Sequence, residues 1–189
     1  MEIQYGPDLH LEFTENKNYT NKYRLQREGE ILLLADDILR FALNHRYYIF
    51  FDFTADNFDA VYWIPGNHPY YGYDIGRTSN PLFEKIRSNV FLVNNRAINQ
   101  RGINIICSIF WSYISPLNER IIQKGLADFS CINIIGKPLL PSHFNELHPT
   151  ASSFIKSEIK SYTHQKILSS RTMSYFTQLP GKIHEKAAE

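Results

Sequence analysis

The chain has 189 residues, of which 43% are hydrophobic and 14% aromatic, enough apolar side chains to build one folded domain. Its 20 basic and 19 acidic residues leave a formal charge of +1, which gives no electrostatic support for nucleic-acid binding. No apolar run approaches the ~20 residues of a membrane span, and the first residues do not form a signal peptide, so we expect a cytoplasmic protein. Cys107 and Cys131 lie in apolar contexts, which favours reduced thiols over a disulfide.

The N-terminal part of the sequence alternates between short apolar runs and polar or helix-like segments, which predicts strands separated by loops and helices. The predicted elements are a strand at 1–5, a surface loop at 11–27, a strand at 28–34, helices at 38–45 and 46–57, and a strand at 61–64. For 46–57 a strand is the alternative, because its aromatic residues also favour sheets.

The remaining sequence predicts fewer regular elements. They are a loop at 67–80, a helix at 81–87, strands at 90–93 and 103–107, a loop at 111–118, and helices at 119–125 and 141–162. Pro81 would open its helix, whereas Pro149 lies inside the last one, where we expect a break or kink. A further strand begins at Ile167, and 169–189 has no apolar period.

Polar side chains with metal-binding chemistry follow each of the three N-terminal strands. In chain order they are Asp8, His10, Asp37, Asn67 and His68. Because ligand sites in open α/β sheets lie beyond the carboxyl ends of the strands, these side chains should meet at one edge. Carboxylate and amide oxygens mixed with imidazole suit Mn, Fe, Zn or a similar divalent ion.

The spacing of these residues indicates different tasks. Asp8 and His10 are two residues apart, so in an extended segment both point the same way and could share one ion. Asp37 follows the central strand and is the natural bridge between two ions about 3.5–4 Å apart. Asn67 offers a neutral carbonyl oxygen to the other ion. His68 would point toward a bound phosphate, where it could donate a proton.

Taken in order, Asp8-Leu9-His10, Asp36-Asp37 and Gly66-Asn67-His68 resemble the Asp-x-His, Gly-Asp and Gly-Asn-His-Glu blocks of the calcineurin-like metallophosphoesterases. Further segments, at 9–13, 87–90, 110–111, 125–129 and 145–148, resemble the small bacterial branch of that family. The resemblance covers residues 1–168 and implies a β-sandwich of two mixed sheets flanked by helices.

The same resemblance implies a function. It implies a dinuclear metal centre and the hydrolysis of a small-molecule phosphomonoester or phosphodiester by an activated water. Asp8, His10, Asp37 and Asn67 would be metal ligands, and His68 would act as an acid beside the metals.

The sequence also departs from the family pattern. Pro7, Asp36 and Pro69 stand where the family has a small polar residue, a glycine and a glutamate. Asp36 is alternatively the N-cap of the following helix, a position that Asp favours. The downstream His-His and Gly-His-x-His blocks do not occur in this sequence. We therefore expect an α/β fold that is incomplete at the C-terminus, with 1–168 as a partial domain and 169–189 as a divergent, loosely ordered tail.

The absent histidines leave three interpretations open: a hydrolase with impaired activity, an inactive truncated remnant, and a module that binds a phosphorylated ligand. A reading frame shifted over 168–173 can encode Val-Val-Thr-His-His, so an out-of-frame tail is a hypothesis that the gene sequence tests. Missing strands would expose a sheet edge, which favours self-association or a complementing downstream chain.

Overall fold

The fold is known from a computed structural model, which describes residues 1–6, 8–43, 48–162 and 166–173. For Tyr48 and for 166–173 it describes only the backbone. The strands of these residues are β1 (Ile3–Gly6), β2 (Ile31–Asp36), β3 (Ala60–Pro65), β4 (Tyr73–Asp74), β5 (Leu82–Lys85), β6 (Val90–Asn94), β7 (Arg96–Gln100), β8 (Ile103–Phe110), β9 (Ile132–Ile134), β10 (Lys137–Pro138) and β11 (Lys166–Met173). The helices are α1 (Thr14–Lys22), α2 (Tyr48–Asn57), α3 (Glu119–Gly125), α4 (Asp128–Cys131) and α5 (Pro141–Ser161).

Two larger sheets carry the fold. The first has five strands in the order β1-β2-β3-β6-β5, in which β1, β2, β3 and β6 are parallel and β5 is antiparallel to β6. The second has three strands, with β11 parallel and β7 antiparallel to the central β8. A small sheet of β10, β9 and β4 lies outside these two.

The side chains of β2 alternate between two apolar cores. Leu33 belongs to a core that also contains Ile105 and Cys107 of β8, so it lies between the two larger sheets. Leu34 belongs to the other core, together with Phe51 of α2 and Phe144 of α5. A strand buried on both faces reads as a continuous apolar run, which is what β2 and β3 show. The expected α/β sandwich of sheets flanked by helices is therefore confirmed.

Three predicted elements are wrong. The loop expected at 11–27 contains α1, which buries no side chain and so leaves no apolar stripe in the sequence. The helix expected at 81–87 is strand β5, whose hydrogen bonds to β6 decide its conformation. The helix expected at 38–45 is irregular over 37–43, apart from a 3₁₀ turn at 41–43.

The segment after β2 is held by long-range rather than helical hydrogen bonds. Asp37 O accepts from the backbone N–H of His10 at 2.9 Å, and Ile38 O accepts from that of Leu11 at 2.8 Å. Because residues 37–40 are not helical, no helix begins directly after Asp36, and the N-cap interpretation of Asp36 is wrong.

Other predictions hold. The segment 48–57 is helical rather than extended, and the strands at the start of the chain, at 90–94 and at 103–110 are present.

Helix α5 runs unbroken through Pro149, so the predicted break is wrong. The boundary expected at 168 falls inside β11, and 174–189 lies outside the described residues. Within the described part of the chain, no helix is both long and apolar enough to cross a membrane.

Candidate metal centre

Three parallel strands end at the same edge of the five-stranded sheet. The register of β1 against β2 and of β2 against β3 places Gly6 beside Leu34, and Asp36 beside Pro65. The residues that follow each strand are therefore neighbours, as expected for parallel strands. All five candidate site residues come from these three strand ends.

Asp8, Asp36 and Asp37 form an acidic cluster. Each contributes a carboxylate oxygen, and these three oxygens all lie within 4.8 Å of one another. The backbone orients two of the carboxylates, because Asp37 N–H donates to Asp8 Oδ1 at 3.0 Å and His68 N–H donates to Asp37 Oδ1 at 3.1 Å. The cluster therefore has a defined geometry.

Gly66 leaves room for the carboxylates of this cluster. A Cβ at Gly66 would collide with Oδ1 of both Asp36 and Asp37. Asp36 itself has a backbone φ of 87°, a conformation that residues other than glycine rarely adopt. The chain thus has a charged side chain at a backbone position suited to glycine, and a glycine where the carboxylates need room.

Burial and neighbouring negative charges raise the pKa of Asp36 and of Asp37. Burial, followed by the charge of Asp8, raises the pKa of Asp36 to about 6. Burial, followed by the charge of Asp36, raises the pKa of Asp37 to about 8. Like charges in a poorly solvated place disfavour ionisation, and a bound cation would reverse this effect.

A second group, the histidine cluster, contains His10, Glu12 and His68. Glu12 Oε1 lies 3.3 Å from His10 Nδ1 and 3.7 Å from His68 Nδ1, and the two imidazole centroids are 5.0 Å apart. The Glu12 carboxylate raises the pKa of His68, against the effect of burial. Burial alone would raise the pKa of Glu12, but hydrogen bonding with His68, its own backbone and His10 lowers it.

Asn67 is oriented by a buried carboxylate from α4. Asp128 has no exposed surface, and its Oδ1 accepts from Asn67 Nδ2 at 2.8 Å and from Tyr71 Oη at 2.6 Å. Because the amide nitrogen is held by Asp128, the carbonyl oxygen of Asn67 remains available as a neutral ligand. Burial raises the pKa of Asp128.

Arg40 supplies positive charge beside the site. Its guanidinium lies 6.0 Å from the centre of the Tyr71 ring, and the Tyr71 ring lies 4.2 Å from that of His68. Arg40 Nε is buried and has no hydrogen-bond partner among the described residues. Sequence reasoning gave no role to Arg40, Glu12 or Asp128, although Glu12 and Asp128 lie in segments that carried the family resemblance.

The residues present fit a divalent cation. Oxygen ligands at about 2.1–2.3 Å from an octahedral ion are at most about 4.2–4.6 Å apart, close to the span of the acidic cluster. A bound cation would relieve the mutual repulsion of the carboxylates. The close packing of Asp36 and Asp37 against Gly66 would hold their oxygens near that cation.

The structure thus brings Asp8 and Asp37 together and adds Asp36 to them. His10 and His68 face Glu12 in the neighbouring cluster, and Asn67 faces Asp128. The individual ligand and acid roles stay predictions.

The fold is shared with a hydrolase of known structure. The crystal structure of phosphopantetheinyl hydrolase (PptH) from Mycobacterium tuberculosis matches this chain with a TM-score of 0.60 and 16% sequence identity. The match covers 89% of this chain and 67% of that one. Identity at this level shows a common fold and leaves activity open.

A viral protein is similar in sequence. "Uncharacterized protein L509" of Acanthamoeba polyphaga mimivirus is 26% identical over 154 residues, which cover 70% of this chain and 52% of that protein. The chain therefore spans about half the length of this relative. No protein-family model matches the chain.

Proposed function

We propose that the chain is a phosphoester hydrolase that depends on divalent metal ions. The observation that carries this proposal is the acidic cluster at the ends of β1 and β2, with Asn67 and His68 beside it at the end of β3. Asp8, Asp37 and Asn67 would hold metal, with His10 and Asp36 as neighbouring ligands. Divalent ions, when bound, supply positive charge that polarises a phosphoryl group and activates water.

The residues around the metal ligands would handle the substrate. His68 has one ring nitrogen turned toward Glu12, which leaves Nε2 to donate a proton to the leaving oxygen of a phosphoester. Arg40 would bind phosphate oxygens, because a guanidinium matches their geometry and its Nε is unpaired among the described residues. The Tyr71 ring lies beside both groups, 4.2 Å from the His68 ring and 6.0 Å from the Arg40 guanidinium.

The shared fold suggests a first substrate to test. PptH is named as a phosphopantetheinyl hydrolase, so a phosphopantetheinyl ester is the first natural substrate class to assay. General chromogenic substrates should accompany it, namely p-nitrophenyl phosphate for monoesters and bis(p-nitrophenyl) phosphate for diesters.

The experiment compares wild type, Asp37→Asn and Asp56→Asn with Mn²⁺, Fe²⁺ or Zn²⁺ added to metal-free protein. Asp56 is an exposed carboxylate of α2 and serves as the matched control. We expect metal-dependent turnover in wild type and Asp56→Asn, with a loss of about 100-fold or more in Asp37→Asn. Absence of turnover with every metal and substrate would overturn the hydrolase proposal. Tight phosphate binding without turnover would instead support a ligand-binding module.

A further inference from the structure

We infer that Glu12 is a positioning residue that holds His10 and His68 together through their Nδ1 atoms. The purpose of this arrangement rests on the proposed function, but its geometry does not. Nδ1–H of each ring would be directed to one carboxylate, so that both Nε2 atoms are presented to the metal site and the substrate.

The contact distances support a shared carboxylate. Glu12 Oε1 lies 3.3 Å from His10 Nδ1 and 3.7 Å from His68 Nδ1. The first distance is a long hydrogen bond. The second is an ion-pair contact beyond hydrogen-bond reach, and His68 Nδ1 is buried with no hydrogen-bond partner among the described residues, so Glu12 Oε1 is the acceptor that this atom faces. Such contacts in a free enzyme commonly shorten when ligand binds. The two rings meet edge to face, with an interplanar angle of 78°.

Glu12 is placed for this task by burial. Its side chain is 4% exposed, and its Oε2 is buried with no hydrogen-bond partner among the described residues. A carboxylate so poorly solvated needs polar partners, and the imidazoles are the ones it faces. Neighbouring Leu11 is buried and its N–H is bonded to Ile38 O, so the segment that carries Glu12 is fixed.

The chemical consequence concerns the tautomer of each ring. A histidine that donates Nδ1–H to a carboxylate presents its Nε2 away from it: in the neutral ring the Nε2 lone pair can bind a metal, as proposed for His10, and in the protonated ring Nε2–H can donate a proton, as proposed for His68. Glu12 offers such a carboxylate to both rings from the chain segment that follows β1.

A direct role of Glu12 as a ligand makes a different prediction. Ligand atoms about 2.0–2.1 Å from a tetrahedral Zn²⁺ lie about 3.3–3.4 Å apart, so distances alone do not separate the two arrangements. They differ in the proton on Nδ1, which a positioning role keeps and direct ligation removes.

Long-range ¹H–¹⁵N NMR of the imidazole rings in the metal-free, full-length protein reads this proton. The chain contains both references: His148 Nδ1 lies 2.7 Å from the carbonyl of Trp111 and must carry a proton, whereas His143 Nδ1 accepts from Leu140 N–H. We expect His10 and His68 to match His148. Rings that match His143, or that lose the Nδ1 proton when Zn²⁺ is added, would overturn the inference.

A variant supplies the second arm. Glu12→Gln should disturb the tautomers of both rings and lower Mn²⁺ affinity, measured by calorimetry, about 10- to 100-fold. Glu15→Gln, at an exposed carboxylate in the first turn of α1, is the control and should leave both unchanged. Circular dichroism establishes whether the variants are folded. If Glu12→Gln does not fold, the tautomers of the wild-type rings still test the inference.

The two proposals fail in different ways. Nδ1-protonated rings in a protein that binds no metal would support the positioning role and overturn the hydrolase. Metal-dependent turnover with unchanged tautomers and affinity in Glu12→Gln would support the hydrolase and overturn the role of Glu12.

Discussion

Asp36 combines an unfavourable backbone conformation with an unfavourable charge. Its φ is 87° and its carboxylate lies against those of Asp8 and Asp37. We expect Asp36→Gly to raise the free energy of unfolding of the metal-free protein by about 1–2 kcal/mol. Asp36→Asn keeps the side chain and removes the charge, so it should recover only part of that gain. Urea unfolding in EDTA measures both, and an Asp36→Gly variant less stable than wild type would contradict the account.

Asp37 should make stability depend on pH. Burial and the charge of Asp36 raise the pKa of Asp37 to about 8, far above that of an unfolded Asp near 3.8. Between these values the folded state keeps a proton that the unfolded state has released, so the free energy of unfolding falls as pH rises from about 4 to 8. Asp36, with a pKa of about 6, acts in the same direction.

Urea unfolding of the metal-free protein at several pH values between 5 and 8 measures this slope. Asp37→Asn should flatten it. The raised pKa of His68 contributes stability that is also lost as pH rises, so a smaller slope remains in that variant. A slope that is equally steep in Asp37→Asn would show that Asp37 is ionised in the folded protein.

The candidate ligands could be found from sequence because they follow strands. A strand end is a local feature, and parallel strands bring their ends together, which places Asp8, Asp37 and Asn67 at one edge. Asp128 could not be found in this way, because its contact with Asn67 joins residues 61 positions apart. Arg40 lies in the segment that we predicted as a helix, so its position relative to the site was unknown.

The elements that the sequence misassigned are those with weak or ambiguous apolar patterns. Helix α1 buries nothing, so its residues read as a polar loop. Strand β5 buries only Leu82, and its short pattern suits a helical turn as well as an edge strand. In both cases the deciding contacts are hydrogen bonds or packing with distant segments, which local periodicity does not report.

Helix α5 tolerates a proline in its interior. Pro149 is exposed, lacks an N–H for the intrahelical bond and lies within a helix of 21 residues. We expect Pro149→Ala to raise the free energy of unfolding by about 1–3 kcal/mol, since no buried contact of this side chain is lost. Thermal unfolding measures the change. Ser153→Ala, also exposed in α5, should change it by a few tenths of a kcal/mol, and a destabilised Pro149→Ala would show that the proline is adapted to its place.

At the scale of the molecule, the apolar pattern predicts the doubly buried strands β2 and β3, whereas the second sheet is expected only from the family resemblance. The apolar runs of β2 and β3 indicate burial on both faces. The parallel pairing of β8 with β11 places Ile103 beside Lys166. Helices α3, α4 and α5 separate these two strands in the sequence, so local periodicity does not report the pairing. The site depends on this packing, because the core between the sheets includes Leu33 of β2 and Ile64 of β3, whose ends carry it.

Metal binding should therefore stabilise the whole fold. A ligand that binds only the folded state at 100 times its dissociation constant adds about 2.7 kcal/mol to the free energy of unfolding. For a chain of this length that corresponds to an increase of about 5–10 °C in Tm. We expect Mn²⁺ to raise the Tm of wild type and of Asp56→Asn by this order, and to leave Asp37→Asn nearly unchanged. Equal shifts in all three proteins would place the ion outside the acidic cluster. No shift in wild type would mean that the carboxylates at the ends of β1 and β2 do not hold Mn²⁺ in the folded chain.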